Sequence, residues 1–226
     1  MLHSLKTNWL RVAVHLGAWI PVAIIIWDAL TNQLGAEPIR EIILRTGKTA
    51  LVLLVLSLAC TPANTLLGFK PALKVRRALG LYAFFYALAH LTTFVGIDYL
   101  FDVALLADAI LEKPYALVGA AAFLVLLPLA LTSTKASMKR LGQMWNKLHR
   151  AVYLAAILVI VHFVWLVKLD VREPLIFGAI VALLLALRIN FIRRFIAHWR
   201  SRMSNPQSRA SLTRKINFPT DAKEHG

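Results

Sequence analysis

The sequence predicts an all-α fold: a polytopic membrane protein built as a six-helix transmembrane bundle with both termini cytoplasmic. Three observations predict it. Hydrophobic residues make up 59% of the 226 and charged residues only 16%, against roughly 25% charged in soluble domains. Six apolar stretches approach the ~20 residues that a helix needs to cross hydrocarbon. Lysine and arginine gather in alternate connections between those stretches, which marks one side of a membrane.

The first stretch, Trp9–Leu30, is too long for the apolar region of a signal peptide and lacks a small-residue cleavage site, so it reads as an uncleaved span. The others are Ile43–Thr61, Ala78–Ile97, Tyr115–Thr132, His149–Val167 and Pro174–Ile192. Without water, backbone groups must be paired within the segment, so each is expected to be helical. Pro62, Pro71, Pro114 and Pro174 read as punctuation of the short connections.

Basic residues occur at Lys6 and Arg11, at Lys70, Lys74, Arg76 and Arg77, at Lys135, Lys139, Arg140, Lys147 and Arg150, and throughout the tail. Most acids (Glu37, Glu41, Asp98, Asp102, Asp108, Glu112, Asp170 and Glu173) fall in the other connections. The formal charge of +15 is thereby explained by topology and attraction to anionic lipid, without nucleic acid. The half-apolar connection Asp98–Pro114 reads as a short amphipathic helix lying on the outer surface. Residues 1–192 are read as the membrane domain and 193–226 as a basic, flexible cytoplasmic tail, too short for a folded domain of its own. The single cysteine, Cys60, rules out an intramolecular disulfide. No internal repeat is legible.

Ionisable groups inside membrane spans are costly and point to function. His90 lies about 12 residues into the third span, and His162 lies about 13 residues, or ~20 Å, beyond His149 on the fifth. His90 and His162 therefore share a depth on two helices running the same way. Two neutral imidazoles facing across a bundle suit the two axial positions of a haem iron. His149 is a candidate for a second, inner haem. Arg76, fourteen residues before His90 and within roughly 40° of its face, is placed to neutralise a propionate. A guanidinium is a poor metal ligand. Thirteen residues separate His149 from His162 by roughly 140° of rotation. Both face the third helix only if the fifth is distorted near its start or His149 lies outside the regular helix. His15 has no depth-matched partner and reads as structural or as lining a quinone or flavin pocket. Gly47-Lys48-Thr49 imitates the end of a phosphate-binding loop, but Ile42 stands where that loop needs glycine. Lys48 instead reads as an interfacial anchor.

The stretches RTGKTAL (45–51), LACTP (58–62), RRALGLYAFFYALAHL (76–91), LTSTKASMKRLGQMWNKLHRAVYLAAI (131–157) and HFVWLVK (162–168) resemble the MsrQ (YedZ) family, within the ferric reductase-like transmembrane superfamily. The resemblance implies a b-type cytochrome of the bacterial inner membrane, with one or two haems and FMN. It implies electrons taken from the quinone pool, or from a cytosolic flavin reductase, and passed to a periplasmic molybdenum-containing methionine sulfoxide reductase, MsrP. The haem ligands carry over to His90, His149 and His162. Arg76 stands where related oxidases have a fourth histidine. No catalytic residue follows, since methionine sulfoxide reduction is expected on the partner. The tail is too short for the flavin and NADPH domain of those oxidases. The alternatives are a standalone transmembrane ferric or quinone reductase, and a transporter using histidine relays. The scarcity of intramembrane carboxylates weighs against the last.

Overall fold

A computed structural model describes residues 2–167 and 170–188, and the side chains of those from Trp9 onward. The rest of the basic tail and the last residues of the sixth predicted span lie outside the described residues. The chain divides into two compact units, Met1–Leu185 and Ala186–Gly226. The first of them holds the helical bundle.

Every regular element among the described residues is helical: α1 (Leu2–Leu30), α2 (Pro38–Leu67), α3 (Pro71–Thr92), α4 (Val103–Glu112), α5 (Tyr115–Leu131), α6 (Lys135–Leu141), α7 (Gln143–Leu148), α8 (Val152–Leu166) and α9 (Arg172–Ala186). A π-helical turn, Thr93–Asp98, extends α3, and a 3₁₀ turn, His149–Ala151, joins α7 to α8. By length and composition, four described helices are able to cross a membrane: Trp9–Leu30, Pro38–Leu67, Pro71–Asp98 and Gln143–Leu166. They contain the first, second, third and nearly all of the fifth predicted spans. Helix α5 has 17 residues and makes a fifth span if it is counted with α4. Helix α9 covers the sixth as far as Ala186.

Pro62 does not end a helix as the sequence reading expects; α2 continues through it to Leu67. Prolines are tolerated inside membrane helices when nearby hydroxyls and carbonyls adjust around the missing donor. The Thr65 hydroxyl donates back to the Thr61 carbonyl in this stretch. Gly68, at φ 68°, supplies the left-handed residue that closes the helix. Pro71 opens α3, where its missing N–H costs nothing.

Connection 98–114 contains the expected short helix, α4. The Asp102 carboxylate caps it, accepting from the backbone N–H groups of Ala104 and Leu105 at 2.9 and 3.1 Å. The chain then bends by 110° into α5, so α4 runs across the direction of the helix it precedes.

Two helical hairpins carry the bundle, α2 with α3 and α5 with α8. Hydrocarbon offers apolar side chains no reason to leave it, so membrane helices associate by close packing over small residues. Ala83, Ala122, Ala155 and Ala156 are at most 2% exposed and let the backbones approach. Phe84 of α3 stacks on Phe123 of α5 at 5.4 Å. Helix α1 packs chiefly on α3. Pro21 interrupts its hydrogen-bond ladder, and the buried Tyr86 hydroxyl inserts there, accepting from Val22 N–H at 3.1 Å and donating to the Ala18 carbonyl at 2.7 Å.

Candidate functional site

His90 and His162 come together. Their ring centres lie 6.2 Å apart with the planes at 88°. Two imidazoles on opposite sides of one metal ion, each bonded at about 2 Å, place their ring centres about 6 Å apart. His90 sits on α3, and its Nδ1 is 2.8 Å from the Ile43 carbonyl on α2. His162 sits on α8, and its Nδ1 is 2.7 Å from the Tyr115 carbonyl at the start of α5. A carbonyl oxygen only accepts, so both Nδ1 atoms carry the proton and both Nε2 atoms keep a lone pair. A histidine whose far nitrogen is committed to a carbonyl in this way is oriented and made more basic for a metal at the other nitrogen.

Glycine makes room for both rings. A Cβ on Gly47 would lie 2.8 Å from His90 Nδ1, and one on Gly119 would lie 2.8 Å from His162 Cε1 and Nδ1. Ile43 and Tyr115, Gly47 and Gly119, and His90 and His162 are each 72 residues apart. The two hairpins thus present the same carbonyl, the same glycine and the same histidine. This duplication is hard to see in the sequence because few identities recur at that spacing, among them Ala50 with Ala122, Leu54 with Leu126 and Ala83 with Ala155 besides the glycines and histidines, while most other positions differ. Gly47 and Gly119, packed against the two rings, are residues of this site that the sequence reading did not place there. The available signal was a glycine in a helix interior four residues after the residue whose carbonyl accepts from the histidine. Lys48, expected as an interfacial anchor, forms an ion pair with Glu173 of α9.

His149 and Arg76 lie on the same two hairpins, each bonded to a threonine of the helix paired with its own segment. Arg76 donates to the Thr61 hydroxyl at 3.3 Å. His149 Nε2 lies 3.1 Å from the Thr132 hydroxyl. That hydroxyl gives its only proton to the Pro128 carbonyl at 2.6 Å, so it accepts from Nε2–H, and His149 is left with its lone pair on Nδ1. The ring also stacks on Trp145 at 3.9 Å, and the Trp145 indole N–H donates to the Thr132 carbonyl at 2.9 Å. The irregularity required by the thirteen-residue spacing is present: His149 begins the 3₁₀ turn. The turn directs it to α5, where His162 also finds its carbonyl partner. Arg76 and His149 thus make similar threonine contacts on the two hairpins, off the 72-residue spacing that relates the histidine pair.

Among the described residues, no group of three or more His, Cys, Asp and Glu side chains is placed to hold a metal ion. Two imidazoles paired in this way fit a metal that brings further ligands of its own.

Residues 46–160 match the ferric reductase-like transmembrane component family. The chain is 42% identical, over 79% of its length and 85% of the relative's, to the protein-methionine-sulfoxide reductase heme-binding subunit MsrQ of Xanthomonas axonopodis pv. citri. It is 45% identical to the MsrQ of Deinococcus radiodurans, over 78% and 87% of the two chains. The chain belongs to the MsrQ family, within the ferric reductase-like transmembrane proteins. The MsrQ of Xanthomonas oryzae pv. oryzae is 41% identical over 79% and 84%. The matched stretch contains α3 with His90 and most of α8, and ends two residues before His162. No solved structure matches.

Proposed function

We propose that this chain is a b-type cytochrome that carries electrons across the bacterial inner membrane to a periplasmic methionine sulfoxide reductase. The observation that carries the proposal is the pair His90 and His162, each with Nδ1–H committed to a carbonyl and Nε2 left as a donor atom. The relatives' names, which describe heme-binding subunits of a methionine sulfoxide reductase, support the same reading.

His90 and His162 would hold the haem, and Gly47 and Gly119 leave space for their rings. When bound, the haem supplies a one-electron iron couple. The protein's part is to fix the tautomers, orient the rings and keep water out. His149, with Arg76 as a propionate partner, forms the inner candidate position. His149 offers Nε2 there only after releasing Thr132.

In this reading six spans cross the membrane, both termini are cytoplasmic, and residues 193–226, outside the described residues, are a basic cytoplasmic tail. The donor is a quinol of the membrane pool or a cytosolic flavin reductase, the acceptor is the molybdenum subunit MsrP, and FMN belongs to the same chain of carriers. The alternative is a standalone ferric or quinone reductase.

Purified protein is expected to show a reducible b-type spectrum, and His162→Ala to lose the component held by this pair. Full retention of the spectrum in that variant would refute the ligand assignment. Removing the molybdenum partner separates the two functions. Electron flow to methionine sulfoxide then stops, whereas a standalone reductase continues to reduce ferric iron.

A further inference from the structure

We propose that His15 and Tyr82 form a quinol-binding site that opens directly to lipid. The inference rests on the reading of the chain as an electron carrier and names the place where its substrate docks.

His15 is exposed on α1, with exposed Val12, Leu16 and Trp19 around it on the same helix. An ionisable side chain turned toward acyl chains is costly and calls for a partner. The one it has is the Tyr82 hydroxyl of α3, 2.8 Å from Nδ1, with the rings edge to face at 5.6 Å. The pair is not needed to dock α1, because Tyr86, one turn along α3, already bonds both Ala18 and Val22. Among the described residues, no group bonds His15 Nε2.

The chemistry of the pair selects its ligand. If the hydroxyl donates to Nδ1, Nε2 carries the proton and is a donor. If Nδ1 donates to the hydroxyl, Nε2 is an acceptor and the phenolic hydrogen is free to bond outward. One pair can therefore meet either a quinol hydroxyl or a quinone carbonyl. A ligand reaching this exposed face arrives through the hydrocarbon, so it is lipid-soluble. Along α3, Tyr82 lies eight residues before His90 and six after Arg76, about 12 and 9 Å of axial rise. The site is thus between the two candidate haem positions.

The quinol loses two electrons, one at a time, to haem that the proposed onward electron flow reoxidises between them, and loses both hydroxyl protons. The first proton passes to His15 Nε2. His15 passes it to the water at the inner end of α1, about 9 Å of helix rise away at Trp9, and then takes the second, and the product is the quinone.

The test uses the haem-loaded protein in lipid nanodiscs, rapidly mixed without oxygen with decylubiquinol, and follows haem reduction by absorbance. His15→Gln and Tyr82→Phe are expected to slow this reduction at least tenfold, with the oxidised spectrum, haem content and reduction by dithionite unchanged. Tyr82→Phe keeps the ring and guards against a folding defect in the other variant. If the quinol reduces the unaltered protein and both variants equally fast, the site is wrong while the function stands. If dithionite reduces the unaltered protein and decylubiquinol does not, quinol as donor and this site both fall.

Discussion

Replacing Gly119 with alanine adds one methyl group at the place where the histidine pair is held. The new Cβ would lie 2.8 Å from His162 Cε1 and Nδ1 and 3.4 Å from Cγ. Carbon atoms in optimal contact sit about 3.5–4.0 Å apart, so the ring has to retreat by roughly 0.7 Å or more. The imidazole has little freedom to do so, since Nδ1–H is bonded to the Tyr115 carbonyl at 2.7 Å. Overpacking of this kind costs about 1–3 kcal/mol, equivalent to about one to two orders of magnitude in affinity for whatever the ring ligates. The helix itself pulls the other way, because alanine is preferred to glycine in a helix interior by about 1 kcal/mol. Gly119→Ala is therefore expected to fold with at most about 2 kcal/mol less stability than the parent while holding haem weakly. The assay is haem content and visible spectrum after purification, followed by haem transfer to an apoprotein acceptor. Gly17→Ala, whose Cβ meets nothing within 4 Å, is the control and should retain its haem. Full and equally tight haem binding in Gly119→Ala would remove the argument that this close approach positions the ligand.

Other contacts lead to further expected outcomes. His149→Ala should preserve a b-type component held by His90 and His162, and complete loss of haem from that variant would contradict the two-position reading. Tyr86→Phe removes the hydroxyl that fills the break at Pro21 and should cost about 1–3 kcal/mol; an unchanged thermal midpoint in detergent would show that α1 is held by other means. Arg45 bonds both Glu41 and Asp28, whereas Arg40 bonds only the exposed Glu37. Arg45→Ala should thus lower the midpoint more than Arg40→Ala, because it leaves the Asp28 carboxylate, only 15% exposed, without its cation. Equal effects would mean that the Asp28 pair contributes nothing beyond a surface contact.

Legibility in the sequence varies from residue to residue. The spans read at 9–30, 43–61, 78–97 and 149–167, which fall in or nearly in longer helices, were legible because hydrocarbon leaves the backbone no alternative to internal pairing. His90 and His162 were legible as a pair because a helix converts sequence position into depth at a fixed rise. The Pro62 reading failed because a local turn signal was overridden inside a long helix. Helices α6 and α7 escaped notice, being too short and polar to carry an apolar pattern.

Composition and spacing by themselves determined that this chain is helical, that it has segments able to cross a membrane, and that two histidines share a level, since each depends only on neighbours along the chain. The tertiary structure decided which nitrogen each histidine presents, that Gly47 and Gly119 sit against the rings, and that His149 turns to Thr132. Those properties arise from atoms 17 to 47 positions apart in the chain that meet within 3.1 Å. Hydrogen-bond direction and steric clearance act only between surfaces in contact, so they exist only once the hairpins have packed.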